Sequence, residues 1–214
     1  MKVGILGSGD VAKALAAGFL GRKDEVKLGT RDPGKPELAA WLAGKGRGAT
    51  VGSFEDSARF GEWVVIATRG VANAETIHAA GPKSFSGKVV LDVTNPLVFH
   101  PDGPPSLAVG FSDSAGEQVQ RALPDAKVVK VFNTSGSPHM VHPRFPGGPP
   151  DMFLCGKDDG AKKAVAKIVK EFGWNPEDIG GIEGARLLEP LTILWVTVAL
   201  RRGNWDNAWR LLQK

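Results

Sequence analysis

A chain of 214 residues, 42% apolar and 23% charged, has room for one well-buried core, and this composition is ordinary for a globular domain. The formal charge of +4 suits an anionic small molecule; with no basic run or basic–aromatic stripe beside it, it makes no case for a nucleic-acid partner. The single cysteine, Cys155, excludes an internal disulfide and fits a reducing, cytoplasmic setting, and the longest apolar run, Leu191 to Leu200, is far short of the ~20 residues that a membrane span needs.

Residue 2 already opens a strand-like run, Lys2 to Leu6, so no signal peptide is expected. The run leads into Gly7-Ser8-Gly9-Asp10-Val11-Ala12, and Val11, Leu15 and Phe19 then recur at helical spacing. G-x-G-x-x-A between a strand and a helix is the dinucleotide-binding fingerprint. Gly7 permits the tight turn, Gly9 lets a pyrophosphate approach the backbone, and Ala12 lets the helix pack on the strand. A purely structural glycine turn is the competing explanation. The second strand, Glu25 to Gly29, ends in Thr30-Arg31-Asp32-Pro33. A hydroxyl and a guanidinium stand where an NAD-binding domain usually has a carboxylate, which favours the 2′-phosphate of NADP; Asp32 is the awkward neighbour.

Helices are expected over Pro36 to Ala43 and Phe54 to Phe60, with a short strand at Ala49 to Val51 between them. Trp63 to Ala67 is a continuous apolar run, as in a strand buried on both faces of a parallel sheet, and Val89 to Val93 and Lys127 to Phe132 are expected to be two more buried strands. Each ends in a polar cluster: Thr68-Arg69, Thr94-Asn95-Pro96 and Asn133-Thr134-Ser135. Ligands of open α/β sheets bind at such carboxyl ends. Phe99 to Phe111 and His139 to Pro150, rich in Pro and Gly, are expected to be long loops that serve as lids. Met152 to Cys155 is strand-like, with Cys155 a small core residue. Ala161 to Phe172 is an amphipathic helix closed by Gly173, with Lys162, Lys163, Lys167 and Lys170 on its solvated side. Pro190 should kink or start the last helix, and the tail from Ala185 onward is expected to be all helical. The fold class is therefore α/β: a Rossmann-like, doubly wound, mostly parallel sheet over residues 1–181, with a small helical part over 182–214 for packing or a dimer interface.

Catalytic residues are harder to find. With no tyrosine, a Tyr-x-x-x-Lys acid is excluded. His139 and His142 have no carboxylate or cysteine close by to complete a metal site. No protein acid, base or metal is assigned. Direct hydride transfer from a nicotinamide to a second cofactor ring needs none, because the two rings carry the chemistry and the protein aligns them.

The motifs 7–12, Leu-Gly-Thr-Arg-Asp-Pro at 28–33, Leu-Asp-Val-Thr-Asn-Pro at 91–96, Val-Val-Lys-Val-Phe-Asn-Thr at 128–134, Leu-Cys-Gly-Lys-Asp-Asp at 154–159 and Ala-Arg-Leu-Leu-Glu-Pro-Leu at 185–191 together resemble the NADPH:deazaflavin (coenzyme F420) oxidoreductase family. They are also similar to the cytosolic reductase domain of the six-transmembrane metalloreductases. The resemblance implies a dimeric NADP(H)-dependent oxidoreductase whose co-substrate is coenzyme F420 or a flavin. It implies that Ser8, Gly9, Asp10 and Val11 lie along the pyrophosphate, Thr30 and Arg31 at the 2′-phosphate, and Thr68 and Arg69 by the ribose or adenine. Asn95, Pro96 and Asn133 would then approach the nicotinamide. Asp10 stands where the archaeal deazaflavin enzymes tend to have Asn, and residues 136–150 depart from their pattern, so the acceptor stays open. Two alternatives remain: an NADPH-dependent imine or carbonyl reductase using a donor such as His139 or Lys130, and a non-enzymatic NADP(H)-sensing protein.

Overall fold

The computed structural model describes residues 1–45, 48–101 and 103–212. Short apolar runs alternate with helices as β1 (Lys2–Leu6), α1 (Asp10–Gly21), β2 (Glu25–Gly29), α2 (Pro36–Ala43), β3 (Ala49–Gly52), α3 (Phe54–Phe60), β4 (Trp63–Ile66), α4 (Asn73–Ala80) and β5 (Val89–Asp92). A hairpin of β6 (Leu97–His100) and β7 (Gly103–Leu107) follows, then α5 (Ala115–Ala122), β8 (Lys127–Lys130), β9 (Asp151–Gly156), α6 (Asp159–Glu171), β10 (Asn175–Asp178) and α7 (Ala185–Arg202).

Eight strands make one sheet in the order β10-β9-β8-β5-β4-β1-β2-β3. The run from β3 to β8 is entirely parallel. This is the doubly wound dinucleotide-binding order, and the winding reverses between β1 and β4, where ligands of such sheets bind. At the far edge β9 runs antiparallel to β8 and β10 parallel to β9. The fold is thus Rossmann-like and mostly parallel.

Strand side chains alternate between two faces, so each apolar strand feeds two cores. Val3, Ile5, Val65, Leu91 and Val129 join Leu15 and Phe19 of α1 and Val165 and Ile168 of α6. Leu6, Val64, Ile66, Val90 and Val128 join Ala58 of α3, Ile77 of α4 and Val119 of α5. Caps set the helix starts. Ser53 and Asp56 form a reciprocal capping box on α3, and Asp158 caps α6. Gly173, at φ 90°, follows the end of α6 as the sequence suggested.

Four sequence expectations are corrected. The Phe99–Phe111 stretch is no plain loop, since it holds most of the β6–β7 hairpin; Pro104 and Pro105 are tolerated because a two-stranded sheet leaves one edge of each strand unpaired. Of the two roles expected for Pro190, starting the helix is ruled out. The residue lies inside the helix on its exposed side and removes only the backbone bond to the Arg186 carbonyl. The tail is not all helical, because Gly203 stops α7 at φ 60° and Asn204 forms a turn by accepting the Asp206 N–H. The chain beyond runs back as a strap: the Asp151 N–H donates to the Trp209 carbonyl at 2.9 Å, and the Trp195 indole N–H donates to the Asn207 carbonyl at 2.9 Å. Lys162 is not on a solvated face. It is buried between Asp159 (3.1 Å) and Asp178 (3.0 Å), and the latter is delivered by β10, a strand that Asn-Pro-Glu-Asp does not announce.

Candidate functional site

At the point where the winding reverses, β1 turns sharply into α1. Gly7 adopts φ 138°, its N–H donates to the Gly29 carbonyl at 2.8 Å, and an added Cβ would lie 2.5 Å from the Ala67 carbonyl oxygen. Both the backbone angle and the space demand glycine. At Gly9 the opposite holds, because an added Cβ would meet nothing within 4 Å. Gly9 opens α1, and no side chain caps that helix. The first-turn N–H groups and the positive end of the helix dipole therefore face open space, a cradle that fits a pyrophosphate.

Beside the cradle lies a cleft of about 600 Å³, lined by Gly7, Ser8 and Gly9, by Thr30, Arg31, Asp32 and Lys35 after β2, and by Thr68 and Arg69 after β4. Thr30 is buried and fixed by its N–H to the Gly52 carbonyl, at 3.0 Å. Arg31 is exposed and has no ion-pair partner among the described residues. Asp32 is turned to another use: its Oδ1 accepts the Gly34 N–H at 3.1 Å in an Asx turn. That turn brings the chain back so that Lys35 joins Arg31 and Arg69 in the cleft. Sequence reasoning missed Lys35; the signal was the Asp-Pro-Gly turn three residues ahead of it.

Of the residues singled out by sequence, Gly7, Ser8, Gly9, Thr30, Arg31, Thr68 and Arg69 line this cleft. Asp10 and Val11 form the first turn of α1 beside it. Pro96 is buried and lines a separate hollow of about 220 Å³ between α4 and α5. Asn95 and Asn133 meet at the ends of β5 and β8. Asn95 Nδ2 donates to the Asn133 carbonyl at 2.8 Å, and Asn133 Nδ2 donates to Asn95 Oδ1 at 3.0 Å. Asn133 Oδ1 and Ser135 Oγ, on the same strand end, are buried without a partner among the described residues.

Beneath these amides lies a buried charge cluster. The Lys130 ammonium, fully enclosed, stands 3.0 Å from Asp92 Oδ2 and 2.8 Å from Glu189 Oε1. Burial alone would push the Lys130 pKa down, but the two carboxylates outweigh it and hold the group charged, above its ordinary value. Asp92 Oδ1 also accepts the N–H and hydroxyl of Thr94, at 3.0 and 2.7 Å. Glu189 accepts the Ala115 and Gly116 N–H groups, each at 3.0 Å, and so caps α5. Each charged member faces an opposite charge and a hydrogen-bond partner, as a buried ionic cluster requires. A lysine held in this way is a poor proton donor to a substrate. His139 bonds Asp206 of the strap at 2.8 Å. The Cys155 thiol is buried and pushed up by that burial to about 12, as befits a core residue and not a nucleophile.

Comparison with known proteins agrees with this geometry. Residues 2–96 match the family described as coenzyme F420-dependent NADP oxidoreductase. A crystal structure from Arthrobacter sp. FB24, assigned as an F420-dependent NADP reductase, superposes with a TM-score of 0.94 at 35% identity over 100% of both chains. The F420-dependent NADP reductase of Methanocaldococcus jannaschii is 28% identical over 94% of this chain and 93% of its own. The metalloreductase STEAP3 of Rattus norvegicus is 28% identical over 90% of this chain, which spans 37% of the rat protein's length. No helix among the described residues is long and apolar enough to cross a membrane.

Proposed function

The chain belongs to the coenzyme F420-dependent NADP oxidoreductase family, and from that premise we propose that it transfers a hydride between NADP(H) and a deazaflavin or flavin. Family membership makes it an NADP-dependent oxidoreductase; the acceptor and the placement of the dinucleotide are our reading. The cleft carries that reading. An uncapped helix start adjoins a cleft whose β2 side carries the cations Arg31 and Lys35, while the carboxylate between them is spent on its own turn. A pyrophosphate on the Gly7–Val11 turn would set the 2′-phosphate against Thr30, Arg31 and Lys35, with the adenosine between Thr68, Arg69 and α4. The nicotinamide would point the other way, toward Asn95 and Asn133. When bound, NADPH would supply the hydride from its ring carbon 4; an acceptor ring that took it directly, with a proton from water, would need no protein acid or base. The protein's part is to hold, orient and exclude water. The buried, doubly paired Lys130 and the strap-bound His139 favour this reading over an imine or carbonyl reductase, which needs a proton donor at the substrate.

We place the activity in the cytoplasm and in a homodimer. The outer side of α7 carries Leu187 and Leu194, two turns apart, exposed and apolar, and Val98 and Phe99 of the β6–β7 hairpin are exposed as well. Such a face suits a second copy of the same chain.

The reading is tested by NADPH oxidation with the deazaflavin, FMN, FAD and riboflavin added in turn, in the wild type and in Arg31→Ala. Removing Arg31 should weaken NADPH binding by about 1.5–3 kcal/mol, more than tenfold, and leave NADH nearly unchanged. Equal losses for both dinucleotides, or oxidation by none of the acceptors, would contradict it.

A further inference from the structure

Thr192 of α7 sits 97 residues from Asn95 and 59 from Asn133, yet the three close a ring of hydrogen bonds. The Thr192 hydroxyl lies 3.0 Å from Asn95 Oδ1, 2.9 Å from the Asn133 carbonyl and 3.2 Å from the Leu188 carbonyl. Asn133 Nδ2 reaches Thr192 Oγ1 at 3.2 Å and the Leu188 carbonyl at 2.9 Å. Both amides are fixed in orientation, because Leu188 and Asn95 present only acceptors to Asn133 Nδ2, and flipping it would set oxygen against oxygen. Thr192 and Asn133 are buried and Asn95 is half-buried, so the bonds between Thr192 and Asn133 are shielded from water.

A second observation lies one residue away. Phe132, fully buried, has φ 59°, a left-handed conformation that a Cβ disfavours. Such a residue persists only where its surroundings over-determine it, and such residues cluster at functional sites. Here it turns the chain off β8 so that Asn133 meets Asn95 and Thr192. On the same helix, Glu189, one turn before Thr192, bonds Lys130 and the first turn of α5. The face of α7 against the sheet is thus anchored by polar groups, which select one position where apolar contacts would tolerate several.

We propose that Thr192 is a positioning residue for hydride transfer: it fixes Asn95 and Asn133, and α7 forms a rigid wall of the nicotinamide half of the site. The proposal rests on the reading of the function given above. The ring lies at the ends of β5 and β8, away from the cations that follow β2, so it governs the geometry of transfer and not the affinity for the dinucleotide.

The test compares Thr192→Val with Thr192→Ser in the full chain. Valine keeps the shape and removes the hydroxyl; serine keeps the hydroxyl. Thr192→Val should lower kcat by about tenfold to a hundredfold, the scale of a small misplacement of reacting atoms. The Kd for NADPH should stay within about twofold and serine should restore most of kcat. A second readout needs no acceptor. The nicotinamide emission of bound NADPH, bright in a rigid, dry site, should dim in Thr192→Val and recover in Thr192→Ser. If Thr192→Val lowers only the melting temperature, with kcat and emission as in the wild type, the proposal is overturned. It is equally overturned if NADPH affinity falls in step with kcat, or if serine behaves like valine. If wild-type protein passes hydride to no acceptor, the functional reading fails, and the emission measurement alone still decides the role of Thr192.

Discussion

Gly7 and Gly9 are two residues apart and differ in what an added methyl group would meet. At Gly7 it would strike the Ala67 carbonyl in a backbone conformation that only glycine takes readily; at Gly9 it would enter the space assigned to the pyrophosphate. Gly7→Ala should therefore lower thermal stability, by about 1 kcal/mol or more from the backbone angle alone. Gly9→Ala should melt like the wild type and bind NADPH more weakly. Calorimetric melting and titration of both variants check this, and a Gly9→Ala protein with unchanged NADPH affinity would count against the cradle. The glycine turn and the place of Arg31 at the cleft were legible in the sequence, since they follow from residue type and local spacing. Lys35 was not picked out, because its place in the cleft depends on the turn made by Asp32. Nor was the use of Asn133, because its partners come from α7, far along the chain.

At the scale of elements, α5 and α7 are joined mainly by charges. Glu117 of α5 meets Arg186 of α7, with the guanidinium Nε 2.8 Å from Oε2, and the Arg186 hydrogen bond, with the nearby charge, holds the Glu117 pKa below its ordinary value against the effect of burial. Asp113, just before α5, is held to about 2, chiefly by its bond to Arg121. Both carboxyls have a lower pKa folded than unfolded. Their stabilising effect is thus present above about pH 4 and is lost as the pH falls toward 2. Lys130 has the opposite sign: its raised pKa contributes at all pH values below its unfolded value and fades only in strong base. Stability should fall between about pH 4 and pH 2. Arg186→Gln should flatten that acid limb, as read by urea unfolding across the pH series. An unchanged acid limb in the variant would remove Arg186 from the account. The strands and most helices were legible because their apolar runs have the right period and length. The β6–β7 hairpin, β10 and the strap were not, because proline-rich and polar segments take their form from the surfaces they lie on.

For the whole molecule, the alternation of apolar strands and helices dictates a doubly wound sheet, and that sheet dictates where a ligand binds. The sequence suggested a single crevice lined by all the polar strand ends; only the end of β4 lines the cleft, with the turns after β1 and β2. The ends of β5 and β8 meet instead in an amide ring closed by α7. The exposed apolar side of α7 extends the account to assembly. Leu194→Glu should convert a dimer to a monomer by light scattering, with NADPH binding retained; a wild type that is already monomeric would refute the dimer. The central claim is that hydride passes directly from ring to ring, with no protein acid or base between them. The measurement that tests it most directly uses NADPH deuterated at ring carbon 4 and an oxidised deazaflavin, whose reduced ring carbon does not exchange its hydrogen with water. The account predicts that one stereoisomer of the labelled NADPH delivers its deuterium quantitatively to the reduced deazaflavin. Deuterium lost to the solvent, or absent from the reduced acceptor, would contradict it.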